Sequence, residues 1–326
     1  MSVLAQANIF LTGGTGSFGQ AFVSRALMAG ARRIVIFSRD ELKQAQMRAA
    51  FPDERLRFFL GDVRDPNRLA WAMEGATIVV HAAAMKRIEA CEANPVEAVE
   101  TNITGTRNVA LAAINRHVRR AILLSTDKAP VPHTLYGMTK AVAERLWTQS
   151  NVFAAGTATR LAATRYGNVL ASRGSVIEVW RRQVAAGEPL TVTSETATRF
   201  WMTLPHAVSL VEQALTEMRG GEIFIPKCGS AAVLTLARAV AEQPAGSTYF
   251  PGHVGTGLLP GERRHETLIS EDERALTIDR GTHYVIAPAA PSWGDVWPGS
   301  PGIGAPYRSD TNPEQLTADD LRSMIA

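Results

Sequence analysis

Short apolar runs alternate with longer stretches of helical spacing through the first half of the chain. "NIFLTGG" at 8–14 reads as a buried strand entering a turn, and "QAFVSRALMAG" after it as a helix closed by Gly30. A second strand, "RRIVIFS", precedes "ELKQAQMRAAF" at helical spacing. Then come "LRFFLGD" as strand, "PNRLAWAME" as helix, "ATIVVHAAA" as strand, a helix over 96–115, the strand "RRAILLST" and a helix from Tyr136. Apolar strands between amphipathic helices are what a parallel sheet covered on both faces requires. The pattern predicts an α/β protein built on a doubly wound parallel sheet.

Past Asn168 the rhythm loosens. "EIFIPKCG" still reads as a strand and "LTLARAVAEQ" as a helix, while the Pro- and Gly-rich stretch over 281–312 predicts a long wrapping loop. "TADDLRSMIA" reads as a terminal helix with Thr317 as its N-cap. No internal repeat is visible. We expect a dinucleotide-binding domain from 1–168 and about 200–228, and a smaller α/β substrate lobe from 169–199 and about 229–326.

Composition narrows the function classes. A chain of 326 residues can bury a substantial core. Its 34 basic and 31 acidic residues are mixed along the sequence, leaving a net charge of +3 and no basic arm for nucleic acid. Cys91 and Cys228 offer neither a disulfide framework nor metal-ligand spacing, which suits a reducing cytoplasm and predicts no metal site. The opening residues lack the basic region of a signal peptide, and no apolar run reaches the length of a membrane span. A cytoplasmic protein with no nucleic-acid or membrane partner is expected.

The chemistry starts at "LTGGTGSFGQAF", which satisfies Gly14-x-Gly16-x-x-Gly19 and also Gly13-x-x-Gly16-x-x-Gly19. Set between a strand and a helix, such glycines let backbone N–H groups approach a pyrophosphate at the helix N-terminus. This makes the first domain a candidate Rossmann-type cofactor site. After the second strand, Ser38 and Arg39 offer a donor and a cation to a 2′-phosphate, which favours NADP over NAD. Asp40 would serve NAD, but its place before "ELKQAQM" suits helix capping better. Asp62, after the third strand, falls where the adenine edge of a cofactor would lie.

Within "LSTDKAPVPHTLYGMTK" stand two acid–base sets. Tyr136 and Lys140, four apart on a helix, share a face, so a lysine ammonium can favour the phenolate and Tyr136 can accept a hydroxyl proton. Thr126, Asp127 and Lys128 follow the fifth strand, and strand C-termini in such sheets face the ligand crevice. Oxidising an alcohol needs one base. A second pair is explained if a sugar C4 hydroxyl becomes a ketone, which acidifies the C5 hydrogen: Lys128 removes it while Asp127 protonates a departing C6 hydroxyl. For Lys128 to act as a base, burial and Lys140 nearby are expected to lower its pKa.

These motifs, with "HAAAMKRIEACEANPVEAVETNITGTRNV", "RYGNVLASRGSVI", "TRFWMTL", "GGEIFIPK" and "PGERRHE" in the same order, give a specific resemblance. The chain resembles the extended short-chain dehydrogenase/reductases, and within them the inverting UDP-N-acetylglucosamine 4,6-dehydratases of deoxyamino-sugar pathways, over nearly its whole length. The resemblance implies a bound NADP, a UDP-4-keto-6-deoxy-N-acetylhexosamine product inverted at C5, and a homo-oligomer, dimer or hexamer. It makes Thr126, Asp127, Lys128 and Tyr136 the reactive set and Lys140 the cofactor anchor. Cofactor contacts would come from Gly13, Thr15, Gly16, Ser17, Phe18, Gly19, Ser38, Arg39, Asp62, Val63, Ala82 and Ala83. Lys86 and Asn168 would border the substrate, with Arg199 and Glu262 toward its nucleotide. The chain departs from relatives at Leu259 (Arg there), Arg264 (Leu), Ala197 (Met) and Glu89 (Pro), which leaves the identity of the nucleotide and sugar open. An NDP-hexosamine epimerase on the same scaffold, or a cofactor-binding regulator, are the other readings. The former has no use for an Asp–Lys elimination pair, and the latter none for a complete reactive set.

Overall fold

The computed structural model describes residues 2–172, 174–242, 250–289, 291–293, 297–299 and 301–325. Position 173 of "RYGNVLASRGSVI", the final residues of the two late predicted helices (243 and 326) and parts of the predicted 281–312 loop lie outside the described residues. The first half alternates as the apolar pattern requires: β1 (Asn8–Thr12), α1 (Ser17–Met28), β2 (Arg33–Ser38), α2 (Glu41–Ala50), β3 (Leu56–Leu60), α3 (Pro66–Ala72) and β4 (Ile78–His81). It continues with α4 (Ile88–Ala93), α5 (Pro95–Val99), α6 (Gly105–Asn115), β5 (Arg120–Thr126), α7 (Leu135–Gln149) and β6 (Arg160–Tyr166).

The strands run parallel in the order β3-β2-β1-β4-β5-β6, extended by Ile223–Pro226. Two apolar layers flank this sheet. Phe10, Val79 and Leu123 face one, and Ile9, Leu11, Val80 and Ile122 face the other, as alternate residues of a strand must. The reversal between β1 and β4 opens a crevice at the C-terminal strand ends, the place where doubly wound sheets bind ligands.

Three features differ from the sequence expectation. The helix predicted over 96–115 is interrupted by a π-helical turn, Glu100–Thr104. Its Asn102 accepts from the Met85 amide at 2.8 Å and donates to the Met85 carbonyl and Thr139, so the irregular turn pins the loop after β4. Helix α4, inside that loop, carried too little periodicity to be predicted. The 281–312 stretch is not one loop: its His283–Ile286 joins the main sheet as an antiparallel strand, with Thr277–Asp279 from just before the stretch on its other side, and its Tyr307–Arg308 pairs with Thr267–Ile269. Four residues of "HYVI" among many prolines and glycines gave no periodicity to read. Those edge strands belong to the main sheet although the sequence places them in the smaller lobe.

Beside the sheet lies a separate core of Leu170, Ile177, Trp180, Trp201, Leu236 and Leu321. It is built from helices Val176–Ala185, Val233–Ala241 and Ala318–Ile325 and the short strands around them. Thr317 and Asp320 cap the last helix reciprocally, as predicted at Thr317. No helix among the described residues is long and apolar enough to cross a membrane.

Candidate functional site

The glycine loop joins β1 to α1 and closes against β4. Gly13 has φ +68°, and a Cβ there would meet the Ala82 backbone at 2.8 Å. At Gly19 a Cβ would meet the Gly14 carbonyl oxygen at 2.3 Å, so helix and loop pack only because both lack side chains. Helices α2, α3 and α7 are capped by Asp40, Asp65 and Thr134, whereas α1 begins at Gly16 with no side-chain cap. That uncapped, glycine-lined N-terminus fits a pyrophosphate. Asp40 is spent on α2, accepting from the Lys43 amide at 2.9 Å.

A cavity of about 970 Å³ runs from this loop to the end of β5. Gly13, Thr15, Gly16, Ser17, Phe18 and Gly19 line one end, with Ser38, Arg39, Val63, Ala82 and Ala83 around them. Thr126, Asp127, Lys128, Tyr136, Lys140, Lys86 and Asn168 line the other. Asp62 does not line it; its carboxylate is turned to Arg64 at 2.7 Å and Arg39 at 3.4 Å. A second cavity of about 360 Å³ meets the first at Asn168 and contains Arg199 and Glu262. The predicted residues thus fall at two connected places.

At the crevice floor, register Thr126↔Tyr166 ends the β5–β6 pairing, and the next two residues turn inward. The Thr126 hydroxyl donates to Asp127 Oδ1 at 2.9 Å. Lys128 Nζ donates to the same oxygen at 3.0 Å and to Glu266 Oε1 at 3.3 Å. Burial pulls the Lys128 ammonium down, but Asp127 and Glu266 outweigh it and hold its pKa above the ordinary lysine value. This corrects the expectation of a lowered Lys128: a lysine between two carboxylates keeps its proton.

Lys140 is the lowered one. Its Nζ donates to the Leu124 carbonyl at 2.7 Å, and burial brings it to about 8 against the opposing charge of Glu144. Burial raises the Tyr136 phenol to about 12, and the cation that favours its phenolate is Lys128 rather than Lys140.

In the second cavity Arg199 pairs with Glu262 at 2.7 Å, and Glu262 also accepts from Thr193 and the Leu259 amide. Leu259 lines this cavity, Arg264 and Glu89 are exposed, and Ala197 is buried in the smaller core. Sequence reasoning missed Glu266 and Tyr166; the acid closing "PGERRHE" was the available signal for the former. Among the described residues no group of three or more His, Cys, Asp or Glu is placed to hold a metal.

Residues 9–288 match the family described as polysaccharide biosynthesis protein. The chain belongs to this family. It is 39% identical to the inverting UDP-N-acetylglucosamine 4,6-dehydratase of Campylobacter jejuni, covering 98% of this chain and 97% of that one. It is 42% identical to a UDP-glucose 4-epimerase of Rickettsia prowazekii over 85% of this chain and 82% of that one. Among solved structures, Pen from Bacillus thuringiensis superposes with a TM-score of 0.89 at 33% identity, covering 99% and 98% of the two chains. DesIV of Streptomyces venezuelae, a dTDP-glucose 4,6-dehydratase solved with NAD and TYD bound, shares the fold at 20% identity and a TM-score of 0.67 (77% and 88% covered). The Rossmann-type, extended short-chain dehydrogenase/reductase architecture expected from the sequence is therefore established.

Proposed function

We propose that this family member is a NADP-dependent nucleotide-sugar 4,6-dehydratase acting on UDP-N-acetylglucosamine, giving the 4-keto-6-deoxy product inverted at C5. One observation carries the reading: the Asp127–Lys128 pair shares a cavity with Tyr136. Proton traffic at C4 alone, as in a dehydrogenase or epimerase, gives that pair nothing to do. Loss of water across C5–C6 needs one group to take a proton and another to give one.

The glycine loop would hold the pyrophosphate, Ser38 and Arg39 the 2′-phosphate, and Lys140 the nicotinamide ribose. When bound, the nicotinamide would supply, in its oxidised form, positive charge and a hydride acceptor for C4 and, once reduced, the hydride donor for C6. Tyr136, whose phenolate Lys128 favours, moves the C4 hydroxyl proton. Transfer of one proton from Lys128 to Asp127 across 3.0 Å makes the amine base and the carboxylic acid together. Lys128 then takes the C5 proton, Asp127 protonates the C6 oxygen, and water departs. A solvent-derived proton added to C5 from the opposite face completes the inversion. Lys86 and Asn168 border the sugar, while Arg199 and Glu262 in the smaller lobe meet the nucleotide. We expect a cytoplasmic homo-oligomer, dimer or hexamer.

Incubation with UDP-N-acetylglucosamine and identification of products by mass and NMR tests this. A dehydrated 4-keto product is expected, with solvent deuterium at C5. The epimerase names among the relatives favour a second reading. An isomeric product of unchanged mass, without C5 exchange, would establish it instead.

A further inference from the structure

Glu266 lines neither cavity, yet it completes the charge cluster behind Lys128. Its amide donates to Ser309 Oγ at 2.9 Å, fixing it just before strand Thr267–Ile269. From there its carboxylate reaches Lys128 Nζ at 3.3 Å and Arg199 Nε at 3.6 Å. Lys128 thus sits between two carboxylates, Asp127 and Glu266, whose side chains are 2% and 3% exposed. One oxygen of each, Asp127 Oδ2 and Glu266 Oε2, is buried with no hydrogen-bond partner among the described residues.

Fully ionised, Asp127, Glu266 and Glu262 would set three negative charges against Lys128 and Arg199. A bare anionic oxygen in such a place is costly. A proton on Glu266 removes the surplus charge and the anionic character of its own bare oxygen, leaving Asp127 as the cluster's single buried carboxylate beside Lys128. Burial and the charge of Asp127 push this carboxyl up, with Lys128 and Arg199 opposing. Of the other charged groups on elements packed here, Arg308 and Asp310 pair with each other at 2.8 Å, His265 is turned to Thr198, and Arg264 is exposed.

We propose that Glu266 is a positioning residue that gates elimination: protonated, it lets Lys128 pass its proton to Asp127; ionised, it holds Lys128 as an ammonium. The inference rests on the dehydratase reading above. The transfer moves one proton from Nζ to a carboxylate oxygen and leaves the total charge unchanged. Lys128 next gains the C5 proton and Asp127 gives one to the leaving C6 oxygen, so elimination consumes no net proton. Raising the pH through the Glu266 titration closes the gate, and dehydration falls on the basic side.

The test compares wild type, Glu266→Gln and Glu266→Asp, each with NADP. Infrared spectroscopy reads the protonated-carboxyl stretch, and kcat and KM for UDP-N-acetylglucosamine are followed against pH. The wild type should show a carboxyl band that fades as pH rises, and Glu266→Gln should lack it. Glu266→Gln, a mimic of the protonated form that cannot ionise, should keep kcat within about threefold at the optimum and lose the basic limb that Glu266 titration sets in the wild type. Glu266→Asp should keep the limb, and KM should stay level throughout. Product formed with the basic limb kept in Glu266→Gln, or no band assignable to Glu266, overturns the gate alone. A wild type that forms no dehydrated product overturns the gate and the dehydratase reading together.

Discussion

Lys128, partly buried, and Lys140, fully buried, both lie close to the end of β5 and twelve positions apart, yet their protons are held in opposite ways. Lys140 faces a backbone carbonyl, with Glu144 one turn along its own helix, and burial brings it to about 8. Lys128 faces two carboxylates, one of them delivered from 138 residues away, and is held above the ordinary value. Burial alone does not set the sign; partners do. The same difference separates the two halves of the proposed chemistry, since the Tyr136–Lys140 face serves oxidation and the Asp127–Lys128 pair serves elimination.

The sharpest way to break that division is Lys128→Met. We expect dehydration and C5 deuterium exchange to fall by about 10³-fold or more, with NADP affinity kept, in line with loss of a general acid–base group. Unchanged exchange would remove Lys128 from the elimination. Tyr136→Phe should cost roughly 10²-fold or more but act earlier, so that single-turnover absorbance shows no reduced cofactor. If reduced cofactor accumulates while product does not, the assignment of the two faces is reversed.

A stability measurement sharpens the comparison without substrate. Lys140 is lowered in the folded state, so between about 8 and 10.5 the unfolded chain binds the additional proton and stability rises with pH there. Its charge is unfavourable to folding below that window. Lys140→Met should therefore gain most, relative to wild type, near pH 7, and the difference should shrink by pH 10 in denaturant titrations. A pH-independent difference would show that Lys140 is not lowered. Arg39→Ala should weaken NADP roughly tenfold while leaving NAD nearly unchanged, the scale of one charge-assisted contact. Equal losses for both cofactors would defeat the 2′-phosphate role. The smallest effect expected is about 1 kcal/mol from Thr134→Ala, which removes the α7 cap under Tyr136.

The sheet through β6 was legible because each strand is an apolar run long enough to read and each helix has its own period. The edge strand His283–Ile286 was not, since four residues in a Pro- and Gly-rich stretch cannot show a period. The same contrast holds in the site. Gly13, Gly16, Asp127, Lys128, Tyr136 and Lys140 were legible because local geometry, a strand-to-helix turn or one helix face, ties them together. The pairing of Asp62 with Arg64, two residues on, was not legible, because nothing in the local pattern says where that carboxylate turns.

By itself the sequence determined the alternating architecture, the glycine cradle and the presence of two acid–base sets, all of which depend on neighbours a few residues apart. Only the tertiary structure decided which lysine holds its proton more tightly, since Glu266 reaches Lys128 through strand pairing and a serine contact far along the chain. Periodicity and turns follow from covalent neighbours. Electrostatics in a buried crevice follows from whatever the fold brings within a few ångströms.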